Sequence, residues 1–207
     1  MVNKVQNLSD QEKFWATNFG NEYIDRNNSN SLLFAKIELW KKILSATTGV
    51  ETATEFGCNI GLNLLALKEI NSKIKLTGYE INSDAVKVAK SIVDADIIQS
   101  SFTTHLPPEP VDVSFTCGVL IHIHPKDLSI AYQNLFNFTK KYIVVAEYYN
   151  PTPVAVEYRG HSDKLFKRDF AGDLIREFNL KLVDYGFVYR GDNYAPLDDV
   201  TWFLLEK

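Results

Sequence analysis

The stretch Glu55-Phe56-Gly57-Cys58-Asn59-Ile60-Gly61 decides the fold, because it joins a predicted strand over residues 52–56 to a predicted helix over residues 62–70. Gly57 and Gly61 let the backbone turn sharply and lie close to a ligand. In an open parallel sheet, ligands bind beyond the carboxyl ends of the strands, near the point where the strand order reverses. We therefore expect the candidate site at this turn.

Strand and helix patterns alternate on both sides of this turn. Strands are predicted over residues 52–56, 74–80, 96–99, 111–116 and 142–146, with helices over 62–70, 82–90 and from Pro125 to about Phe138. This rhythm predicts an α/β, Rossmann-like three-layer sandwich with a mostly parallel sheet. A helix over about 167–178 then leads to two strands, 181–189 and 200–206, which suit an antiparallel C-terminal hairpin.

The front of the chain has a different pattern. Aromatic and small polar residues mix over 14–23, and the run Asn27-Asn28-Ser29-Asn30-Ser31 reads as a turn and helix cap. Leu33, Ile37, Trp40 and Leu44 then share one face of a helix over about 31–46. We expect a single domain over 1–207, with an N-terminal helical cap or lid over 1–48 and a Rossmann-like core over 49–207.

Composition excludes several classes of protein. The 207 residues include 22 Lys and Arg against 26 Asp and Glu, so a net charge of −4 gives no reason to expect a nucleic-acid partner. No apolar run approaches the roughly 18 residues of a membrane span. Cys58 and Cys117 match no metal spacing, and His122 and His124 have no evident further ligand, so no metal is predicted. We expect a cytoplasmic protein, monomeric or homodimeric, with a small-molecule substrate.

Two carboxylates indicate which ligand the turn binds. A dinucleotide fingerprint needs G-x-G-x-x-G, but Asn59 stands at its second glycine, and Glu55 would disfavour a pyrophosphate while favouring an ammonium group. Glu80 ends the next strand, where a carboxylate accepts the hydroxyls of a ribose. A ligand with an ammonium group, a ribose and no phosphate is S-adenosylmethionine.

Over about residues 50–146, and in the terminal hairpin, the chain resembles the seven-stranded class I S-adenosylmethionine-dependent methyltransferases. The resemblance implies that Glu80 holds the ribose and that Ile81, Ser101 and Phe102 lie at the adenine. It also implies that the methionine part is surrounded by Glu55, Gly57, Cys58, Asn59, Gly61, Cys117, Gly118 and Val119. Many relatives carry an acidic residue near Ser101 for the adenine amino group, and here a backbone carbonyl or Ser101 would replace it.

A narrower resemblance covers most of the chain. Phe14-Trp15 with residues 19–27, the segment 118–125, and the runs 147–151 and 158–160 resemble the pseudaminic acid biosynthesis-associated methyltransferases. This resemblance implies a sugar acceptor, such as a nonulosonic-acid-pathway intermediate, methylated on oxygen or nitrogen. The family association leaves the acceptor itself undefined.

Several side chains are candidates for the chemistry of transfer. A hydroxyl acceptor needs a general base, and the candidate catalytic residues are His122, His124 and Tyr148, with Glu147 as a further candidate. The candidate substrate-binding residues are Tyr23, Arg26, Asn27, Tyr149, Arg159 and His161. Two alternatives stay open, namely a non-catalytic nucleoside-binding module and an NAD-dependent oxidoreductase.

Overall fold

The structure is a computed structural model of the chain, and it describes residues 8–17, 19–20, 29–104 and 109–207. The strands are β1 Thr52–Phe56, β2 Lys75–Glu80, β3 Asp96–Gln99, β4 Val111–Cys117, β5 Thr139–Glu147, β6 Val154–Tyr158, β7 His161–Lys167, β8 Lys181–Val188 and β9 Val200–Glu206. The helices are α1 Asp10–Ala16, α2 Asn30–Ser45, α3 Leu62–Ile70, α4 Ser83–Ile92, α5 Leu128–Asn137 and α6 Phe170–Phe178.

Seven strands form one sheet in the order β3-β2-β1-β4-β5-β9-β8. Strands β1 to β5 are parallel, and β9 runs antiparallel between β5 and β8. The chain crosses from β3 at one edge to β4 beside β1, which makes the carboxyl ends of β1 and β4 the switch point of the sheet. The predicted α/β fold with a reversed C-terminal hairpin is confirmed.

Side chains from the two faces of the sheet pack into two separate hydrophobic cores. On one face, Val144 and Trp202 pack with Trp40 of α2 and with α3 and α4. On the other face, Ile143 packs with Leu174 of α6 and with α5. Because successive residues of a strand point to opposite faces, a stretch buried on both sides is apolar at every position, as residues 142–146 of β5 are.

Three segments differ from the sequence expectations. Residues 154–167 form the β6–β7 hairpin, so the helix expected from about residue 167 begins only at Phe170, where the Asp169 side chain accepts the Gly172 N–H at 2.8 Å. Pro125 opens a 3₁₀ turn, Pro125–Asp127, rather than α5 itself. We predicted no strand over residues 154–158, although Val154, Val156 and Tyr158 alternate with Ala155 and Glu157 as in a short strand.

Candidate active site

A cavity of about 460 Å³ opens at the carboxyl ends of β1, β2 and β4. Glu55 and Glu80, the last charged residues of β1 and β2, both line it and are 1% and 8% exposed. Two buried carboxylates at neighbouring strand ends are unfavourable unless something compensates them. Their presence marks this cavity as the candidate ligand site.

The turn after β1 is built by its glycines and closed by the loop after β4. Gly57 has φ +73°, and a Cβ added there would lie 2.5 Å from Cγ2 of Val119. The Gly57 and Cys58 N–H groups donate to the Tyr79 carbonyl at 2.8 and 3.0 Å, which ties the turn to β2. A side chain at position 57 would therefore separate the two loops that border the cavity.

Glu55 is the acidic end of a short polar chain. Its Oε1 accepts the Asn63 Nδ2 at 2.6 Å, and Asn63 Oδ1 accepts Lys36 Nζ at 2.9 Å. Its Oε2 is buried and has no hydrogen-bond partner among the described residues. Burial raises the pKa of Glu55 to about 8, although Asn63 and the charge of Lys36 lower it. A ligand ammonium group would supply the donor that Oε2 lacks.

Lys36 brings a positive charge to the same end of the cavity. It lines the cavity together with Glu55 and lies half-buried on α2. An ammonium from the protein beside an unpartnered carboxylate matches the two charges of an amino-acid zwitterion. We did not predict Lys36 from the sequence, although it lies four residues before Trp40 and so on the apolar face of its helix.

Glu80 is held by the backbone. Its Oε2 accepts the Asn59 N–H at 2.7 Å and its Oε1 accepts the Asn82 N–H at 2.8 Å. Burial raises the pKa of Glu80, while these backbone donors lower it without cancelling the shift. A carboxylate has roughly four acceptor positions, so these two bonds leave capacity for two ribose hydroxyls.

Glu147 holds the loop after β4 rather than facing the cavity. Its carboxylate accepts the N–H groups of Val119 and Leu120, both at 3.1 Å, and of Ile121 at 3.4 Å. Burial raises its pKa to about 7 against these donors. Because Glu147 is not among the residues that line the cavity, it is a positioning residue.

His122 is a buried histidine that lines the cavity. Its Nδ1 lies 2.7 Å from the Lys164 carbonyl, so Nδ1 carries the proton and Nε2 is the acceptor of the neutral ring. Burial lowers its pKa to about 4, which keeps the ring neutral at physiological pH. The ring centroids of Trp15 and Tyr158 lie 4.4 and 5.3 Å from the centroid of the His122 ring. His122 therefore sits in an aromatic wall as a hydrogen-bond acceptor.

His124 also lines the cavity, but its Nδ1 accepts the Lys126 N–H at 3.2 Å and caps the following 3₁₀ turn. Four other candidates that the structure describes do not line the cavity, namely Tyr148, Tyr149, Arg159 and His161. The Lys167 ammonium lies over the Tyr148 ring, and Tyr149 is 43% exposed. Arg159 and His161 lie exposed at the tip of the β6–β7 hairpin. Tyr23, Arg26 and Asn27 lie outside the described residues.

The predicted cofactor residues come together. Except for Gly61, all of them line the cavity: Glu55, Gly57, Cys58, Asn59, Glu80, Ile81, Ser101, Phe102, Cys117, Gly118 and Val119. Gly61, with φ +82°, instead begins α3 and packs against α4. The sequence missed Lys36, Asn63 and the α1 residues Gln11 and Glu12 as parts of the cavity lining. Their roles depend on contacts between distant segments.

Helix α1 forms the outer wall of the cavity. The Gln11 Nε2 donates to the Asp163 carbonyl of β7 at 2.8 Å, and the Asn82 Nδ2 donates to the Trp15 carbonyl at 3.2 Å. The helix thus bridges the β6–β7 hairpin and the end of β2. The lid over residues 1–48 stays a prediction.

The fold is that of the class I, Rossmann-like S-adenosylmethionine-dependent methyltransferases. Magnesium protoporphyrin IX methyltransferase of Synechocystis PCC 6803, solved with bound SAM, superposes with a TM-score of 0.70 at 8% identity, over 97% of this chain and 99% of that one. The 1,6-didemethyltoxoflavin-N1-methyltransferase of Burkholderia thailandensis, solved with its acceptor and S-adenosylhomocysteine, gives 0.74 at 11% identity, over 97% and 91%.

Sequence comparison adds one relative of limited coverage. The tRNA N(3)-cytidine methyltransferase METTL6 of Homo sapiens is 26% identical over an alignment of 99 residues, and the match covers 43% of this chain and 35% of the relative. The match thus spans about a third of that protein's length. No protein-family model matches the chain. In the described part of the chain, no helix combines the length and the apolar character needed to span a bilayer.

Proposed function

We propose that this protein is an S-adenosylmethionine-dependent methyltransferase that acts on a small polar acceptor. The observation that carries the proposal is the pair of buried carboxylates, Glu55 and Glu80, at neighbouring strand ends of one cavity. The fold, and the two structural neighbours solved with SAM or S-adenosylhomocysteine, support the same cofactor.

The residues present fit this cofactor. Glu55 Oε2 would accept the α-ammonium group, and Lys36 would bind the α-carboxylate of the methionine part. Glu80 would accept the ribose hydroxyls beside its two backbone donors. When bound, the cofactor supplies an electrophilic methyl group on a sulfonium. The protein then has to orient the acceptor and exclude water.

His122 is the residue best placed to orient an acceptor. Its neutral Nε2 would accept a hydrogen bond from an acceptor O–H or N–H and hold the lone pair of that atom toward the methyl group. Trp15 and the β6–β7 hairpin would exclude water on that side. His124 and Tyr148 remain secondary candidates for this role.

For the acceptor we propose a sugar of the nonulosonic-acid pathway, methylated on oxygen or nitrogen. This part rests on the resemblance of residues 118–125 and 147–151 to the pseudaminic acid-associated enzymes. Arg159 and His161 of the hairpin, together with Tyr149, Tyr23, Arg26 and Asn27, are the candidates for contacts with such an acceptor. The partial similarity to a tRNA methyltransferase favours a second candidate, a nucleic-acid acceptor, against which the net charge of −4 weighs.

The test measures S-adenosylhomocysteine release by mass spectrometry with nonulosonic-acid precursors and with tRNA as acceptors. We expect product with a sugar, and His122→Gln is expected to lower kcat at least tenfold while leaving the Kd for S-adenosylhomocysteine unchanged. Product with tRNA alone would replace the proposed acceptor. Failure to bind S-adenosylhomocysteine would refute the cofactor, and a parallel fluorescence titration with NADH tests the oxidoreductase alternative. Binding without turnover would favour the non-catalytic module.

A further inference from the structure

The order of β1, β2 and β3 in the sheet indicates where each part of the cofactor would lie. Glu55 ends β1, Glu80 ends β2, and the segment after β3 lies beside Glu80, because the Ser100 N–H donates to the Glu80 carbonyl at 2.9 Å. With the methionine part at β1 and the ribose at β2, the purine ring extends toward the segment after β3. The purine would then lie beside Ile81 and Phe102, which line the cavity.

A carboxylate from outside the sheet reaches this purine end. Glu12 of α1 lines the cavity, and its Oε1 accepts the Thr103 hydroxyl at 3.0 Å, while Thr103 in turn lies 2.8 Å from the Ser101 hydroxyl. Its Oε2 accepts the Ser9 N–H at 2.7 Å within a capping box. Burial raises the pKa of Glu12, but hydrogen bonds from Ser101, Ser9 and Thr103 outweigh this effect and lower the pKa, so the side chain is ionised at neutral pH.

We propose that Glu12 accepts a hydrogen bond from the exocyclic amino group of the cofactor's adenine, so that the N-terminal helix selects a 6-aminopurine. The two oxygens of a carboxylate offer roughly four acceptor positions, and Ser9, Ser101 and Thr103 already donate to them, so the adenine amino group would take the place of one of these neutral hydroxyl donors. The part of the loop after β3 that lines the cavity, residues 100–104, offers hydroxyls and a backbone but no carboxylate, and Glu109 of the same loop is not among the lining residues. Glu12 thus supplies a charged acceptor from a segment distant in sequence.

Asp127 is the competing carboxylate. It also lines the cavity, but it follows β4, on the other side of β1 from β3. Glu12 is directly hydrogen-bonded to the segment after β3, and this contact places it at the purine end. The inference rests on the proposed cofactor, so its test compares two ligands that differ only at the purine 6-position.

The experiment measures Kd by isothermal titration calorimetry for S-adenosylhomocysteine and for its analogue that lacks the 6-amino group. A hydrogen bond to a charged acceptor predicts that the wild-type protein prefers the amino ligand by about tenfold or more. We expect this ratio to fall to about threefold in Glu12→Gln, whose amide oxygen is a neutral acceptor, and to near one in Glu12→Ala.

The ratio separates recognition from a merely structural role. Loosening of α1 would weaken both ligands equally and leave the ratio intact, and Asp10→Asn, an exposed change in the same helix, is expected to keep the wild-type ratio. A full ratio in Glu12→Ala would overturn the proposal, as would its loss in Asp127→Asn. Wild-type protein that binds both ligands equally would reject Glu12 while keeping the cofactor. Wild-type protein that binds neither would reject the cofactor itself.

Discussion

The affinity for S-adenosylhomocysteine is expected to rise steeply with pH through the ionisation of Glu55. In the free protein the pKa of Glu55 is about 8, because burial raises it. An ammonium group at Oε2 favours the charged carboxylate, so binding lowers this pKa and releases a proton. Since the carboxyl is protonated at low pH, affinity is weakest there and grows as the pH rises toward 8.

The size of the effect follows from the fraction of Glu55 that is ionised before binding. A carboxyl with a pKa of about 8 is roughly 1% ionised at pH 6.0 and roughly 24% ionised at pH 7.5. Affinity should therefore increase about 20-fold over this interval if the ligand binds the ionised form. The α-ammonium group of the ligand stays mostly protonated in the same interval.

Isothermal titration calorimetry at pH 6.0, 6.5, 7.0 and 7.5 measures this dependence, and circular dichroism at each pH checks that the protein is folded. Glu55→Gln cannot ionise and should bind weakly with a nearly flat profile. Glu80→Gln is the matched control, because it should lower affinity at every pH and keep the slope due to Glu55. An equal slope in wild type and Glu55→Gln, or a flat wild-type profile, would refute the reasoning.

Three further predictions use other parts of the site. Lys36→Met should weaken S-adenosylhomocysteine binding about tenfold by calorimetry and move the rise in affinity to higher pH, because the charge of Lys36 lowers the pKa of Glu55. Gly57→Ala should lower the free energy of unfolding in urea by about 1–3 kcal/mol more than Gly118→Ala. Both glycines have positive φ, but only at Gly57 would an added Cβ meet a neighbouring side chain. Equal losses of stability would exclude that contact as the cause. Glu147 has a folded-state pKa of about 7, above its unfolded value of about 4.5, so its contribution to the free energy of unfolding is fully present below pH 4.5 and is lost as the pH rises through 7. Over that range the wild type should lose about 3 kcal/mol of stability relative to Glu147→Gln in urea unfolding. Parallel stability profiles of the two proteins would contradict this.

The sequence predicted most of the sheet and most of the residues that gather around Glu55 and Glu80, because both depend on local patterns. The helix predicted over about residues 31–46 differs by one residue at each end from the observed helix, Asn30–Ser45. The prediction was close because an apolar face and a serine cap define this helix. The segment from Glu55 to Gly61 forms the turn expected of it, with three positive φ values. Strand β5 is longer than predicted at both ends, because Thr139 and Glu147 are buried polar residues that a hydrophobic pattern omits.

The acceptor side was less predictable, because its contacts join segments distant in sequence. His122 was expected as a base on its position after β4, but the Lys164 carbonyl that fixes its tautomer belongs to the missed β6–β7 hairpin. Glu147 was a candidate base, and only the fold shows that three backbone donors occupy it. The roles of Tyr149, Arg159 and the residues near 23–27 remain predictions.

The hydrogen bond between Gln11 and the Asp163 carbonyl has an evolutionary consequence. The strand-end carboxylates belong to the sheet, whereas the opposite wall combines α1 with the β6–β7 hairpin. Both of these segments lie outside the seven-stranded sheet, so apart from Glu12 and the Trp15 carbonyl they can diverge without altering the strand-end carboxylates. Exchanging both together with those of a homologue should transfer preference for its methyl acceptor, whereas exchanging one would leave mismatched partners.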